Sequence, residues 1–188
     1  MILMLNVFKT VDNELVRAEL HEEGIWVNLI NPTEEEINRV STALNVEIDF
    51  LKAALDEEER ARIESDNGQT LIIVDIPIIE KEENMNLYTT IPLSIIVIKH
   101  AIITVCLRHD TLLDDFVNNR VKTFVTQYKT RFVLQILYKN AVRYLQHLRN
   151  IDKASSEIER ALHKSMKNKE LIQLLKLQKS LVYFSTAL

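Results

Sequence analysis

Turn-forming residues are scarce in this 188-residue chain, which has two glycines and three prolines. That scarcity argues against an all-β fold, which spends such residues freely, and favours long helices. Gly24 and Gly68 stand alone, so no glycine cluster exists to bring backbone amides onto a phosphate, which excludes P-loop and dinucleotide fingerprints. No Gly-x-Ser-x-Gly elbow is present. No apolar run approaches the 18 or so residues of a membrane span; the richest, Ile91–Ile98, has strand length. The N-terminus lacks the basic start and unbroken apolar core of a signal peptide. Cys106 is the only cysteine and lies inside an apolar run, as a reduced core thiol would. The five histidines are scattered, and only His109 has Cys106 within three residues. No second pair completes a zinc site, and solvated single histidines are the expectation.

What is present is hydrophobic residue enough for a core, 47% of the chain, and a divided charge. Residues 1–119 hold 9 Lys/Arg against 23 Asp/Glu, a net −14, whereas residues 120–188 hold 14 against 4, a net +10. Such a split points to two regions with different electrostatic roles.

Six strands are expected: Ile2–Phe8, Glu14–Leu20, Ile25–Ile30, Leu71–Ile79, Leu87–Ile98 and Ala101–Leu107. Turns fall at Asp12-Asn13, Asp66-Asn67-Gly68 and Lys99-His100, and Glu80–Asn86 reads as a polar loop. Thr33 with Glu36 makes a capping box, and Glu34–Glu36 suit a helix N-terminus. Asp49 reads as the cap of a second helix carrying Phe50, Leu51 and Leu55, and Asp114-Asp115 as the start of another. Beyond Leu112 the sequence reads as helical almost to the end. Leu137, Ala141, Tyr144, Leu148, Ile151, Ser155, Ile158 and Leu162 form a heptad stripe. A helix over 131–163 would be about 50 Å long. Lys164–Lys169 suits a turn, and Leu174, Leu177, Leu181, Phe184 and Leu188 form a returning stripe. The expected fold is α+β: a mixed sheet covered by helices over residues 1–130, then a long basic antiparallel helical hairpin over 131–188. The hairpin stops at Leu188 with no cap or polar tail, so the chain is expected to continue in a longer protein.

Asp56, Glu57, Glu58 and Glu59 are the richest set of oxygen ligands and the candidate site for a hard cation such as Mg²⁺. The competing reading is a solvated charged turn. No catalytic constellation is visible, so no enzyme is expected and no cofactor is required. Lys139, Arg143, Arg149, Lys153, Arg160, Lys164, Lys167 and Lys169 could form a basic stripe. No series of stacking aromatics accompanies them and the acidic half repels phosphate, so nucleic acid is not an expected partner. Anionic lipid headgroups suit it better.

Trp26-Val27-Asn28-Leu29 followed by Asn31-Pro32-Thr33-Glu34-Glu35-Glu36 resembles a segment of the CorA family of magnesium and cobalt transporters. Arg60-Ala61-Arg62-Ile63-Glu64 before Leu71–Val74 is similar to that family's Arg-Pro-Lys-Val-Glu segment. Leu93–Ile98 with Ala101–Val105 looks like its paired strands. Tyr144-Leu145, Ile151-Asp152 and Glu157-Ile158 resemble the start of its helical hairpin. The resemblance implies an α/β/α sandwich bearing a helical hairpin, the cytosolic regulatory and assembly domain of a divalent-cation transporter on the cytoplasmic face of the membrane. It implies a homo-pentamer for the full-length protein, held in the bilayer by segments not in this sequence. Those segments supply much of the pentamer contact, so the isolated chain is allowed to be a soluble monomer. Mg²⁺ or another divalent cation is the implied regulatory ligand. Lys52 and Ala53 occupy the positions of an acidic sensing pair in some members, and Val142-Arg143 those of another. An ammonium and a methyl group cannot chelate a cation, so that site does not carry over. A zinc-transporting relative and a soluble interaction module with a docking hairpin are the alternatives.

Overall fold

A computed structural model describes residues 5–82, 85–164 and 168–187. Seven strands form one mixed sheet in the order β2-β1-β3-β7-β6-β5-β4. The strands are β1 (Leu5–Val11), β2 (Glu14–Arg17), β3 (Ile25–Ile30), β4 (Arg62–Asp66), β5 (Gln69–Glu82), β6 (Met85–Val97) and β7 (Ala101–Cys106). The helices are α1 (Glu34–Leu44), α2 (Ile48–Lys52), α3 (Thr111–Val117), α4 (Lys129–Lys164) and α5 (Asn168–Ala187). The α+β sandwich and the long helices agree with the sequence expectation.

Hairpin turns set the register. Asp12-Asn13 and Asn67-Gly68 both take positive φ at the two central positions, between Val11↔Glu14 and Asp66↔Gln69 respectively. This backbone matches the twist of antiparallel strands, and Asn, Asp and Gly tolerate it best. β3 and β7 instead pair in parallel, Trp26 opposite Ile102 and Asn28 opposite Thr104. They are buried at every position but Ile30, as central parallel strands are.

The chain divides into two compact units. The first comprises Met1–Asp75 and Ile91–Leu137. On one face of its sheet Ile25, Val27, Leu29, Ile103 and Val105 pack with Ile37, Val40, Phe50 and Leu51. The other face centres on Trp26, the only tryptophan. Phe8, Phe116, Phe124 and Phe132 surround its ring at centroid distances of 5.2, 6.4, 5.9 and 5.0 Å. Under this nest a polar relay is fully paired. Trp26 Nε1 donates to Thr104 Oγ1 at 2.8 Å, and that hydroxyl donates to Asn28 Oδ1 at 3.0 Å. The capping box at Thr33 and Glu36 is present in both directions.

The second unit comprises Ile76–Thr90 and Tyr138–Leu188. Tyr88, Tyr144, Ile151, Leu177 and Phe184 form its core. Phe184 meets Tyr144 edge-on at 5.0 Å. The amide of Tyr88 donates to Ser180 Oγ at 3.1 Å, tying the strand to α5.

Several expectations need correction. β4 is a seventh strand, exposed at every position, so it carries no apolar alternation to reveal it. β5 and β6 extend into the expected polar loop, because sheet pairing overrides the poor strand propensity of their charged ends; residues 83–84 lie outside the described residues. Asp49 lies inside the first turn of α2, and Glu47 occupies the cap position without a side-chain bond. α3 begins at Thr111, three residues ahead of Asp114: Asp110 caps it, accepting the Leu112 amide at 2.7 Å, and Asp114 supplies the expected negative charge in its first turn. Helix does not run on from Leu112. α3 ends at Val117, and Asn119 and Thr123 take positive φ before α4 begins. On α4 the buried face runs through Asn140, Tyr144, His147 and Ile151, while Ala141 is exposed. A hydrophobic count passes over Asn140 and His147. Leu181 is exposed by 44%. The start of the first expected strand, the centre of the Lys164–Lys169 turn and Leu188 lie outside the described residues.

Candidate functional site

The acidic segment follows a compact turn. α2 passes into a short 3₁₀ turn, Ala53–Leu55, whose alanines are buried. The chain then leaves the core, and Asp56, Glu57 and Glu58 are exposed. Asp56 folds the loop on itself by accepting the Glu58 amide at 3.0 Å through Oδ1, an Asx turn. Two arginines then draw on the remaining carboxylates. Glu59 is paired with Arg62, which also reaches Glu64 at 3.3 Å. Glu57 is paired with Arg108, from beyond the end of β7. Guanidinium groups therefore hold two of the four candidate carboxylates. Among the described residues no three Asp, Glu, His or Cys side chains are grouped to hold a metal ion.

Lys52 points away from this loop's chemistry. Its ammonium pairs with Glu34 at 2.8 Å, at the N-terminus of α1. Ala53 is buried against the first unit's core.

Cys106 is buried and donates to the Pro92 carbonyl at 3.7 Å. Burial pushes its thiol up to about 11, which removes it as a ligand or nucleophile near neutral pH. His109 lies instead 3.1 Å from Asp114. His21, His100 and His109 are exposed as expected. His147 corrects that expectation: it is buried, with its ring 5.4 Å from Tyr88 and 6.4 Å from Phe184. The side chain of His163 is outside the described residues.

Of the basic stripe, Arg149, Lys153 and Arg160 are exposed on α4, and Lys139 and Arg143 are half-buried. The side chains of Lys164, Lys167 and Lys169 lie outside the described residues. No helix among the described residues is long and apolar enough to cross a membrane.

Sequence reasoning missed the arginine clamps. Arg62 sits three residues from Glu59 and was within reach of a local reading. Arg108 lies 51 residues from Glu57, and only the fold brings it there. Gln69 was also missed. Its amide accepts the Glu47 N–H at 3.1 Å and donates to the Asn45 carbonyl at 2.9 Å, fixing the α1–α2 connection.

The class of the chain is defined by its sequence profile together with this architecture of a mixed sheet followed by two long helices. The chain belongs to the family described as CorA-like Mg²⁺ transporter protein, whose profile matches residues 21–188. It is 25% identical over 189 residues to the cobalt/magnesium transport protein CorA of Methanocaldococcus jannaschii, covering 94% of this chain and 57% of that relative. The chain thus spans little more than half of that protein. The soluble domain of CorA from the same organism superposes with a TM-score of 0.83 at 23% identity, over 99% of this chain and 75% of that one. The ZntB cytoplasmic domain of Vibrio parahaemolyticus superposes with a TM-score of 0.63 at 13% identity, over 97% of this chain and 81% of that one. These superpositions establish a shared fold.

Proposed function

We propose that this chain is the cytosolic regulatory and assembly part of a homo-oligomeric divalent-cation transporter whose cargo is Mg²⁺ and Co²⁺. The observation that carries the reading is the family match, which extends over residues 21–188. The relative from Methanocaldococcus jannaschii is named for cobalt and magnesium transport, and that supplies the proposed cargo. The chemistry is handling of hydrated hard cations, with no covalent step. Membrane-spanning segments outside this sequence would form the conduction path, with this chain on the cytoplasmic side.

Regulation by Mg²⁺ is assigned to Asp56–Glu59, where an incoming cation competes with Arg62 and Arg108 for Glu59 and Glu57. Mg²⁺ dehydrates reluctantly and takes one or two carboxylates, so weak, millimolar binding is the expected regime. Thermal melting of the chain with added MgCl₂ tests this part. A rise in Tm, lost in Asp56→Ala/Glu58→Ala, supports it, and no shift at 20 mM would refute it.

The transport reading is tested with the full-length protein in liposomes loaded with a Mg²⁺-sensitive dye. Inward Mg²⁺ and Co²⁺ flux is expected. Flux of Zn²⁺ alone would favour the second reading, a zinc transporter, which the fold likeness to the ZntB domain supports. Absence of any metal flux would reject both.

A further inference from the structure

Of the asparagines in this chain, Asn67 alone precedes a glycine. The pair forms the two-residue loop between β4 and β5, and both residues are exposed. Asn67 has a φ of 49° and Gly68 a φ of 76°, the backbone of a tight hairpin turn. Among the described residues the Asn67 side chain bonds only its neighbour Asp66, whose Oδ2 accepts from Nδ2 at 2.9 Å. The Gly68 N–H donates to no group among them. A Cβ added to Gly68 would meet nothing within 4 Å, so the surroundings leave the dipeptide room to turn. β4 is an edge strand exposed at all five positions, so no buried side chain opposes its fraying.

The hairpin at Asp12-Asn13 is a built-in comparison. Asn13 is exposed too, with positive φ. The residue after it, however, is Glu14, the first of β2 and paired with Val11. The side chain of Glu14 and its place in the ladder restrain an amide that glycine leaves free.

We propose that Asn67 is a site of spontaneous covalent modification, converting through a succinimide to aspartate and isoaspartate. The Gly68 nitrogen gives up its proton and bonds to Asn67 Cγ. The Cγ–Nδ2 bond breaks, and the side-chain nitrogen leaves as ammonia with a proton in place of the bond. One water then opens the five-membered ring. Cleavage of the ring nitrogen from Cγ yields aspartate, and its cleavage from the Asn67 main-chain carbonyl carbon yields isoaspartate. Either product adds a negative charge beside Asp66. Isoaspartate also lengthens the main chain by one carbon inside a two-residue loop, whose geometry sets the pairing of Asp66 with Gln69 and of Ser65 with Thr70. β4 should then loosen, and with it Arg62, the partner of Glu59.

Peptide mapping of the folded 188-residue chain, incubated at mildly alkaline pH, is the test. Trypsin releases residues 63–81 and 10–17, each with a single asparagine. The first peptide should become about 1 Da heavier and separate into two forms, one of them a substrate for an isoaspartate-specific methyltransferase. Conversion should run at least about tenfold faster than in the second peptide. Asn67→Gln should abolish it, which excludes Gln69 in the same peptide as the source. An unchanged 63–81 peptide over the time in which the urea-unfolded chain converts would overturn the inference. So would equal conversion of Asn13, or aspartate formed with no isoaspartate. In the isolated isoaspartate form, the amides of Arg62–Asp66 should exchange hydrogen at least about tenfold faster, with those of β3 and β7 unchanged. Asn67→Asp, which carries the charge without the longer main chain, should keep its β4 protection. Equal protection of β4 in the isoaspartate form would overturn the loosening.

Discussion

Replacing Thr104 by valine removes one oxygen atom from the middle of the Trp26 nest and preserves the side chain's shape. Two buried groups lose their partner at once: the indole N–H of Trp26, fully buried, and the amide oxygen of Asn28, 4% exposed. An orphaned buried polar group costs about 1–3 kcal/mol. The two together, after the small gain from burying a methyl in place of the hydroxyl, should destabilise the first unit by about 3 kcal/mol. Thr104→Ser keeps the oxygen and deletes only a methyl group, a loss of about 1 kcal/mol. The difference between the two variants, about 2 kcal/mol, isolates the relay from the packing. For a chain of this size about 3 kcal/mol corresponds to roughly 6–12 °C in Tm. Trp26 is the only tryptophan, so its fluorescence during urea unfolding reports on the unit that contains the substitution and on no other. If Thr104→Val proves as stable as Thr104→Ser, the hydroxyl is not the shared partner described here.

Other outcomes follow from the same geometry. Thr33→Ala should cost about 1 kcal/mol by breaking the capping box, measurable by the same unfolding curve. Gly24→Ala should cost about 2 kcal/mol. The residue sits at φ +72 and its new Cβ would meet Gln127 Cγ at 2.7 Å, so adding Gln127→Ala should recover only the steric part. The raised thiol of Cys106 binds its proton more tightly in the folded chain than in the unfolded one. That contribution to stability is full below pH 9 and declines as the pH rises toward about 11. Cys106→Ala should flatten this part of the profile in urea titrations at several pH values, and iodoacetamide should label the wild-type thiol only upon unfolding. Arg108→Ala frees Glu57, and should increase any MgCl₂-induced rise in Tm.

Much of the fold was written in local signals. The capping box needed only Thr33 and Glu36, the hairpin turns only Asp12-Asn13 and Asn67-Gly68, and α4 only its period. What escaped was set by distance or by polar burial. β4 exposes every side chain, so its sequence carries no trace of a buried face. His147 and Asn140 lie on the buried face of α4, where a count of apolar positions slides one residue aside to Ala141. In the acidic segment the four carboxylates were visible, but Glu57's partner arrives from Arg108 through the parallel pairing of β3 with β7 and the chain beyond it. Whether a carboxylate run is a ligand set or one side of a salt bridge depends on that tertiary delivery.

The outer strands of the sheet bear on how copies of this protein can meet. β2 and β4 are its two edges, and an exposed edge is an open row of amides and carbonyls that invites another strand. β4 answers with Arg62, Glu64 and Asp66 on a five-residue strand, and β2 is four residues long with a glutamate and an arginine at its ends. A neighbour attempting to extend the sheet would have to bring its backbone up against these charges over only a few hydrogen bonds. Sheet extension, the route that leads to irreversible fibres, is thereby discouraged.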